Sequence, residues 1–383
     1  MATRIGTAAS GPAPSPSGRL TFHGDGGTLF GLYAINLFLT LITLGVYYFW
    51  ARTRIRGYVL SQIEFDADRF AWHGTGKELF LGFLKIAVFF LVLYAVAAAI
   101  RFGWHHPAAE PVLRVGGTIV GLFLVPIAMI GARRYRLSRA SWRGIRFSFR
   151  GRAREFLRIF IAGTLLSVIT LGLYYPVFLN NMRRYLVNQS YFGTSAFVYD
   201  GRGKDLFWRF LLALVIGIAG IGGLGGLLFF TLRKIRGGAF APMSFAAAPP
   251  VLTPGAVRAL GIAVGIPIVF VIMLSFIWFW YAAYRNRYYW GHTSFTGVHF
   301  RSTVSALGLM KLTATNLLLI LVTLGLALPW VLVRNLRFVF ANVSLEGPVD
   351  LAAIQQDAQD ASPAGGALGD VLDIGFFNVD LGI

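Results

Sequence analysis

Seven apolar runs divide the chain, at residues 29–50, 79–100, 112–132, 156–179, 206–231, 257–283 and 304–333. A bilayer core about 30 Å thick takes roughly 20 apolar residues of helix to cross. Backbone inside it must satisfy its own hydrogen bonds. Runs of this length therefore point to an α-helical polytopic membrane protein. Only 13% of the 383 residues are charged and the mean hydropathy is +0.65, against about 25% charged in a soluble domain. The opening stretch MATRIGTAASGPAPSPSG is small, polar and Pro-rich, without the apolar core of a signal peptide. Residues 1–20 accordingly read as a disordered N-terminal segment left in the cytoplasm. There is no cysteine, which removes disulfides, Cys-ligated zinc, iron–sulfur clusters and thiol nucleophiles.

One element is written three times: TLGVYYFWARTRIRGY (43–58), TLGLYYPVFLNNMRRY (170–185) and, more loosely, TLGLALPWVLVRNLRF (323–338). With Tyr58 as position zero, Phe65 stands at +7, Phe70 at +12, Trp72 at +14 and Gly74 at +16. Tyr185 leads to Phe192, Phe197, Tyr199 and Gly201 at the same offsets, and Tyr135 to Trp142, Phe147, Phe149 and Gly151. Tyr288 gives Phe295 and Phe300 before the pattern fades, and a degenerate copy from Phe338 keeps Leu345 at +7. Alternation around +12 and +14, with turn-prone residues between +7 and +12, is strand periodicity. Each unit reads as an Arg-rich helix end followed by a β-hairpin, near 58–74, 135–151, 185–201 and 288–304. Five unrelated amphipathic loops would not share this register. An isolated hairpin is marginal, so the hairpins are expected to associate through their aromatics or against the membrane surface. FHGDGGTLF (22–30) repeats half of the unit, in register with WHGTGKELF (72–80).

The stretch FHGDGGTLFGLYAINLFLTLITLGVYYFWARTRIRGY resembles the signature of the YjgN-like family of bacterial inner-membrane proteins, and the likeness runs over about residues 20–345. The third copy departs from it, with Ala327 where Tyr47 and Tyr174 stand. The resemblance implies a multi-pass inner-membrane protein and carries over no catalytic residue and no established biochemical function.

Two topologies fit the runs. In the first, four helices cross (79–100, 112–132, 206–231 and 257–283), while three TLG units, near 29–58, 156–185 and 309–338, break and turn back as re-entrant hairpins. The helix before the first TLG, 29–42, is about 21 Å long at 1.5 Å per residue, too short to span. Gly stops helices, and Pro176 and Pro329 sit where a second helix would start. The N-terminus and every β-hairpin of the membrane domain, 21–344, are then cytoplasmic. In the second topology all seven runs alternate across the membrane. That puts hairpins 185–201 and 288–304 opposite the other two, with Arg183, Arg184, Arg202, Lys204, Arg285 and Arg287 outside, against the positive-inside tendency. Against the first topology stands the 232–256 loop, which would carry Arg233, Lys234 and Arg236 on the outer side.

Charge is unevenly spread. The net charge is +19, yet no Lys or Arg follows Arg337, and the acidic tail, 345–383, holds seven of the sixteen acids. A basic surface beside apolar spans points to the bilayer and its anionic phospholipid head groups rather than to nucleic acid. Candidate head-group contacts are Arg52, Arg54, Arg56, Arg133, Arg134, Arg183, Arg184, Arg285, Arg287, Arg334 and Arg337. Arg suits bidentate phosphate contacts; a GC-rich genome also favours it. The tail either folds back on the basic hairpins, competing with lipid phosphates, or stays solvated.

Catalytic sets are thin, and neither an enzymatic activity nor a cofactor is expected. His105 and His106 lie beside Glu110 and could bind a metal, but a wet loop histidine pair is the commoner reading. GIAGIGGLGG (217–226) lacks the Lys-Ser/Thr end of a phosphate loop and suits close helix packing. Lys85, Arg158 and Lys311 lie near the ends of their runs, where long side chains snorkel. Asn36 and Asn316 are equivalent, each seven positions before its TLG threonine, Thr43 or Thr323. Asn36, Thr43, Gly45, Thr170, Gly172, Asn316, Thr323 and Gly325 are the candidate lining of a cavity at the helix breaks; they could instead cap or pair helices. Two functions follow: a transport or channel-like protein with a path along the broken helices, or a non-enzymatic scaffold engaging anionic lipid or an unidentified protein partner.

Overall fold

The computed structural model describes residues 18–103, 109–239, 254–347 and 354–356. They form five successive strand–helix–helix–strand units. The first is β1 (Thr21–Phe22), α1 (Gly26–Ile42), α2 (Tyr48–Ser61) and β2 (Ile63–Phe65); the second is β3 (Asp68–Trp72), α3 (Gly76–Gly103), α4 (Ala109–Arg139) and β4 (Ala140–Trp142). The third is β5 (Ile145–Phe149), α5 (Ala153–Ile169), α6 (Tyr175–Asn188) and β6 (Ser190–Phe192); the fourth is β7 (Ser195–Tyr199), α7 (Gly203–Ala239), α8 (Pro254–Gly291) and β8 (Thr293–Phe295). The fifth is β9 (Val298–Ser302), α9 (Ala306–Val322), α10 (Leu328–Asn342) and β10 (Val343–Glu346).

The ten strands make one antiparallel sheet in chain order. The two strands that flank each helix pair belong to it, so both feet of every helix pair return to the same sheet. Phe147 on β5 faces Phe192 on β6, and Phe197 on β7 faces Phe295 on β8. Seven alternating spans would separate the 135–151 and 185–201 hairpins by a bilayer, so that topology is excluded. The helices α3, α4, α7 and α8 are long and apolar enough to cross a membrane. Short helix pairs, whose first helices α1, α5 and α9 have 17 residues each, or about 25 Å, alternate with the two long pairs. The helix α7 continues to Ala239, so Arg233, Lys234 and Arg236 fall on a helix rather than in a loop.

The TLG turns share one backbone solution. Leu44, Leu171 and Leu324 each have φ near +50°, and Gly45, Gly172 and Gly325 follow at +93°, +90° and +89°. The sequence marks Gly as the stop; the chain in fact turns left-handed one position earlier, at a Leu, where a side chain is disfavoured. The threonine offsets this. The Thr43 hydroxyl donates to the Leu39 carbonyl (2.8 Å) and accepts from the Tyr47 N–H (2.9 Å), tying the end of α1 to the start of α2. Thr170 and Thr323 do the same between Leu166 and Tyr174 and between Leu319 and Ala327. The Gly amides close the preceding turn on Thr40, Ser167 and Ile320. Backbone groups that would each cost several kcal/mol unpaired in hydrocarbon are satisfied, and the three leucines are 93–95% exposed at the tips.

The register set by the tyrosines fills the sheet. Phe65, Trp142, Phe192, Phe295 and Leu345, all at offset +7, line one common apolar cavity of about 70 Å³. Phe70, Phe147, Phe197 and Phe300, at offset +12, Leu20, the counterpart of Phe70 in the N-terminal half unit, and Val298 complete its wall. The sheet curls until its ends meet, where the Leu345 N–H donates to the Gly18 carbonyl at 3.2 Å. The helices close in the same way. A Cβ on Gly76 would strike Trp50 of α2 and one on Gly203 would strike Val177 of α6. The equivalent Gly26 of the first helix is covered by Trp330 of the last pair, whose ring also lies 4.9 Å from Phe30. A short piece of the tail rests on the turn end of the sheet. Ile354 is buried among the sheet aromatics, the Thr194 N–H donates to the Gln355 carbonyl (3.0 Å), and the Arg146 N–H donates to Gln356 Oε1 (2.7 Å).

The absence of native cysteine allows a direct check of sidedness. Single cysteines replacing the exposed turn residues Ala67, Thr194 and Thr296 are expected to react with a membrane-impermeant maleimide from one and the same side of sealed vesicles. Reaction of Thr194→Cys from the side opposite to Ala67→Cys would contradict the one-sided sheet.

Candidate lipid-headgroup interface

In four of the five units a tyrosine clamps the feet of the helix pairs. The Asp25 N–H donates to the Tyr58 hydroxyl at 2.9 Å, joining the end of α2 to the start of α1. The Tyr135 hydroxyl donates to Glu78 (3.2 Å), that of Tyr185 to the Arg152 carbonyl (2.7 Å) and Glu155 (3.2 Å), and that of Tyr288 to Asp205 (2.7 Å). Position zero of the register is this clamp, and the fifth unit, with Phe338, lacks the hydroxyl. Gly at +16 is required because the +14 ring lies on it: Phe22 on Gly24, Trp72 on Gly74, Phe149 on Gly151 and Tyr199 on Gly201. Burial, with the Glu155 carboxylate beside it, pushes the Tyr185 phenol up to about 12. The bond from Thr28 holds the Asp25 carboxyl, the N-cap of α1, below the usual carboxylate range.

The arginines at these feet divide by register. Two positions before the tyrosine, Arg133 and Arg183 face the sheet. Arg133 is buried and donates to the Ser190 hydroxyl at 3.3 Å, while Arg183 stacks over Tyr289 at 4.6 Å. A buried guanidinium cannot reach a lipid phosphate, so Arg133 leaves the set of head-group contacts. Arg134 is engaged with the Gly151 carbonyl (2.7 Å), and Arg334 with the Thr315 hydroxyl (2.7 Å). Arg52 donates to the Tyr48 hydroxyl, and Arg56 and Arg285 lie half-buried over Trp72 and Tyr281. Arg54, Arg184, Arg287 and Arg337 are exposed at the foot of the helix layer, although Arg337 also donates to the Gly24 carbonyl.

The proposed cavity residues are placed differently. Thr43, Thr170 and Thr323 spend their hydroxyls on the turns described above. They and Gly45, Gly172 and Gly325 sit on the tips of three separate helix pairs. Asn36 and Asn316 are buried midway along α1 and α9. Asn316 Nδ2 donates to Asn335 Oδ1 at 2.7 Å, whereas neither the amide nitrogen nor the oxygen of Asn36 has a partner among the described residues. Lys85, Arg158 and Lys311 are exposed. Met273 of α8 packs on Gly220, and Leu274 approaches Gly217, so the start of the Gly-rich stretch meets α8, while Gly222, Gly223, Gly225 and Gly226 face open space. His105 and His106 lie outside the described residues, and Glu110 pairs with Arg101 at 2.9 Å. No group of three or more metal-ligating side chains occurs among the described residues.

Among the described residues, three clefts open between helices of a pair; one, about 740 Å³, lies at the tip of α9 and α10 beside Phe30, with Thr323, Trp330 and Arg334 in its lining, and the other two are of similar size. One, about 390 Å³ between α5 and α6, has an apolar upper wall and a foot of Asn181, Arg184, Asn188 and Gln189. The other, about 380 Å³ between α7 and α8, has no charged residue in its lining. The sheet aromatics and the arginines were visible in the sequence. The threonine caps, the foot clamps and the α5–α6 cleft were not, because each depends on contacts whose geometry only the folded helix turns define.

Residues 17–371 match the model of a family of bacterial proteins of unknown function, DUF898. The inner membrane protein YjgN of Escherichia coli strain K12 is 29% identical over 160 residues, 41% of this chain and 37% of that protein. That of Salmonella typhimurium strain LT2 is 30% identical over 132 residues, 34% of this chain and 31% of that protein. The chain thus aligns with about a third of the length of these curated relatives. No solved structure matches it.

The clamp predicts an alkaline transition. A phenol whose folded-state pKa is raised from 10 to about 12 contributes stability that is complete below pH 10 and is lost as pH rises towards 12. Thermal unfolding of the detergent-solubilised protein should fall over that window, and Tyr185→Phe should flatten the fall. An identical pH profile for the variant would count against the clamp.

Proposed function

We propose, from the premise that the chain belongs to the DUF898 family of bacterial proteins, that this inner-membrane protein is a non-enzymatic scaffold that engages anionic lipid head groups. In this reading its sheet and hairpins lie on the cytoplasmic face, where basic segments are favoured, and the short helix pairs are re-entrant. The observation that carries it is the division of the foot arginines around a dry centre. The interior of the sheet is aromatic and aliphatic, whereas Arg54, Arg184 and Arg287 are exposed on the helices, at what this reading takes as the level where the helices leave the membrane. Polybasic surface at that depth attracts anionic lipid by about 1 kcal/mol per basic side chain.

Asn36 supports the second reading, passage of a solute along the helix breaks, because an unpaired polar group inside a membrane helix is costly unless it is used. Replacing Asn36 and Asn316 with Leu abolishes flux under that reading and leaves lipid retention unchanged under the first.

Native mass spectrometry of the protein released from nanodiscs of equal phosphatidylglycerol and phosphatidylcholine tests the proposal. Retention of phosphatidylglycerol is expected to exceed that of phosphatidylcholine and to fall to parity in the Arg54→Gln, Arg184→Gln, Arg287→Gln triple variant. Equal retention of the two lipids by the unmodified protein would sink it.

A further inference from the structure

The three short helix pairs share a backbone but not the chemistry between their helices. In the α9–α10 pair, Arg334 reaches across to the Thr315 hydroxyl at 2.7 Å, and Asn316 meets Asn335, also at 2.7 Å. Both bonds draw the two helices together through polar groups. In the α5–α6 pair the residues at the register positions of Arg334 and Thr315 are Asn181 and Ala162, and the position of Asn316 is Gly163. An amide and a methyl group cannot make that bridge. Phe178 packs down on Gly163, and the space beside it stays open as the cleft of about 390 Å³.

The lining of this cleft is graded along the helix axes. Ile159, Ala162 and Phe178 form its deep wall, and Arg184, Asn181 and Gln189 form its foot. Arg184 is exposed and makes one long bond, 3.5 Å, to the Asp200 carbonyl. A guanidinium carries five N–H donors in a fork that fits a phosphate. At about 30 Å³ for each water-sized group, the cleft holds about thirteen such groups, the size of a glycerophosphate head with its first methylenes. The chains would then continue into the bilayer.

We propose that the α5–α6 cleft is a specific site for one anionic glycerophospholipid. Its phosphodiester meets the Arg184 guanidinium and the Asn181 amide, and its acyl chains run over Ile159, Ala162 and Phe178. This rests on the reading that the foot arginines face lipid head groups, and it adds that one helix pair selects a bound molecule while the others contribute only field. Arg287 supplies the internal comparison. It occupies the register position of Arg184, is equally exposed, and stands on the helix pair whose cleft carries no charged residue.

The test uses the full chain in phosphatidylcholine nanodiscs doped with a phosphatidylglycerol analogue bearing a diazirine on its acyl chain. After photolysis, the cross-linked peptides are mapped by mass spectrometry. Cross-links are expected to concentrate on the α5–α6 helices. Arg184→Gln should lower their yield by about tenfold, as loss of one charge-assisted contact does. Ala162→Leu, which fills the cleft without touching charge, should lower it as well, and Arg287→Gln, which removes only one charge from the general basic field, should lower it far less than Arg184→Gln. Equal losses in Arg184→Gln and Arg287→Gln, or none in Arg184→Gln, would overturn the site while leaving the basic interface standing. Equal yield from a phosphatidylcholine analogue would overturn both. Displacement of the cross-link by the same concentration of soluble glycerol phosphate would assign the site to a free phosphate instead of a lipid, and so overturn it too.

Discussion

The return of both feet of each helix pair to one sheet is the constraint on which the rest of the structure depends. Because the ten strands pair in chain order, the chain leaves the sheet and returns to it five times, whatever the length of the helices between. A pair such as α3 and α4 is long enough to cross a bilayer and come back. The pair α5 and α6 is not among the helices long and apolar enough to do so. The foot tyrosines and the +16 glycines enforce the same condition locally, since they fix the distance between the first turn of one helix and the last turn of the next. Helix length is thereby free to vary without disturbing the sheet.

That freedom has a chemical requirement at the tips. A helix that turns back inside hydrocarbon exposes the free carbonyls of one helix end and the free amides of the next. Thr43, Thr170 and Thr323 each serve one of both kinds. They are therefore spoken for, and the polar chemistry of the short pairs lies further down, at the level of Asn181, Arg184, Asn316 and Arg334. Here the pairs diverge: α9–α10 ties its helices together with the Asn316–Asn335 and Arg334–Thr315 bonds below the cleft at its tip, and α5–α6 lacks that bridge beside its own cleft. A cleft that joins an exposed arginine to an apolar wall without a polar bridge across it is what the lipid-site proposal builds on.

Much of this was legible in the sequence because position in the register is position in space. The offsets +7 and +12 from each tyrosine named most of the side chains that line the interior of the sheet, and Leu20 joins them as an extension of the half unit at the N-terminus. The Gly and Pro breaks inside apolar runs of similar length separated the short helices from the long ones. The foot arginines were visible as a class, but not which of them turn inward: Arg133 and Arg134 are neighbours in sequence, yet only Arg133 is buried beneath the sheet. Side-chain direction at a helix end depends on a rotation of about 100° per step along the chain, and the Arg-rich segments are basic on too many faces for their pattern to fix it. The role of the TLG threonine was hidden for a related reason, since its partners are backbone groups, which any residue carries.

Closure of the ring is the central claim, because it alone brings the first and last units side by side and leaves the aromatic interior without an open edge. In this cysteine-free chain, the pair Phe30→Cys and Trp330→Cys tests it by disulfide cross-linking in native membranes. The expected result is an intramolecular cross-link on mild oxidation, independent of protein density in the membrane. No cross-link, or one that forms only between two copies of the chain, would contradict a closed ring of five helix pairs on a single sheet.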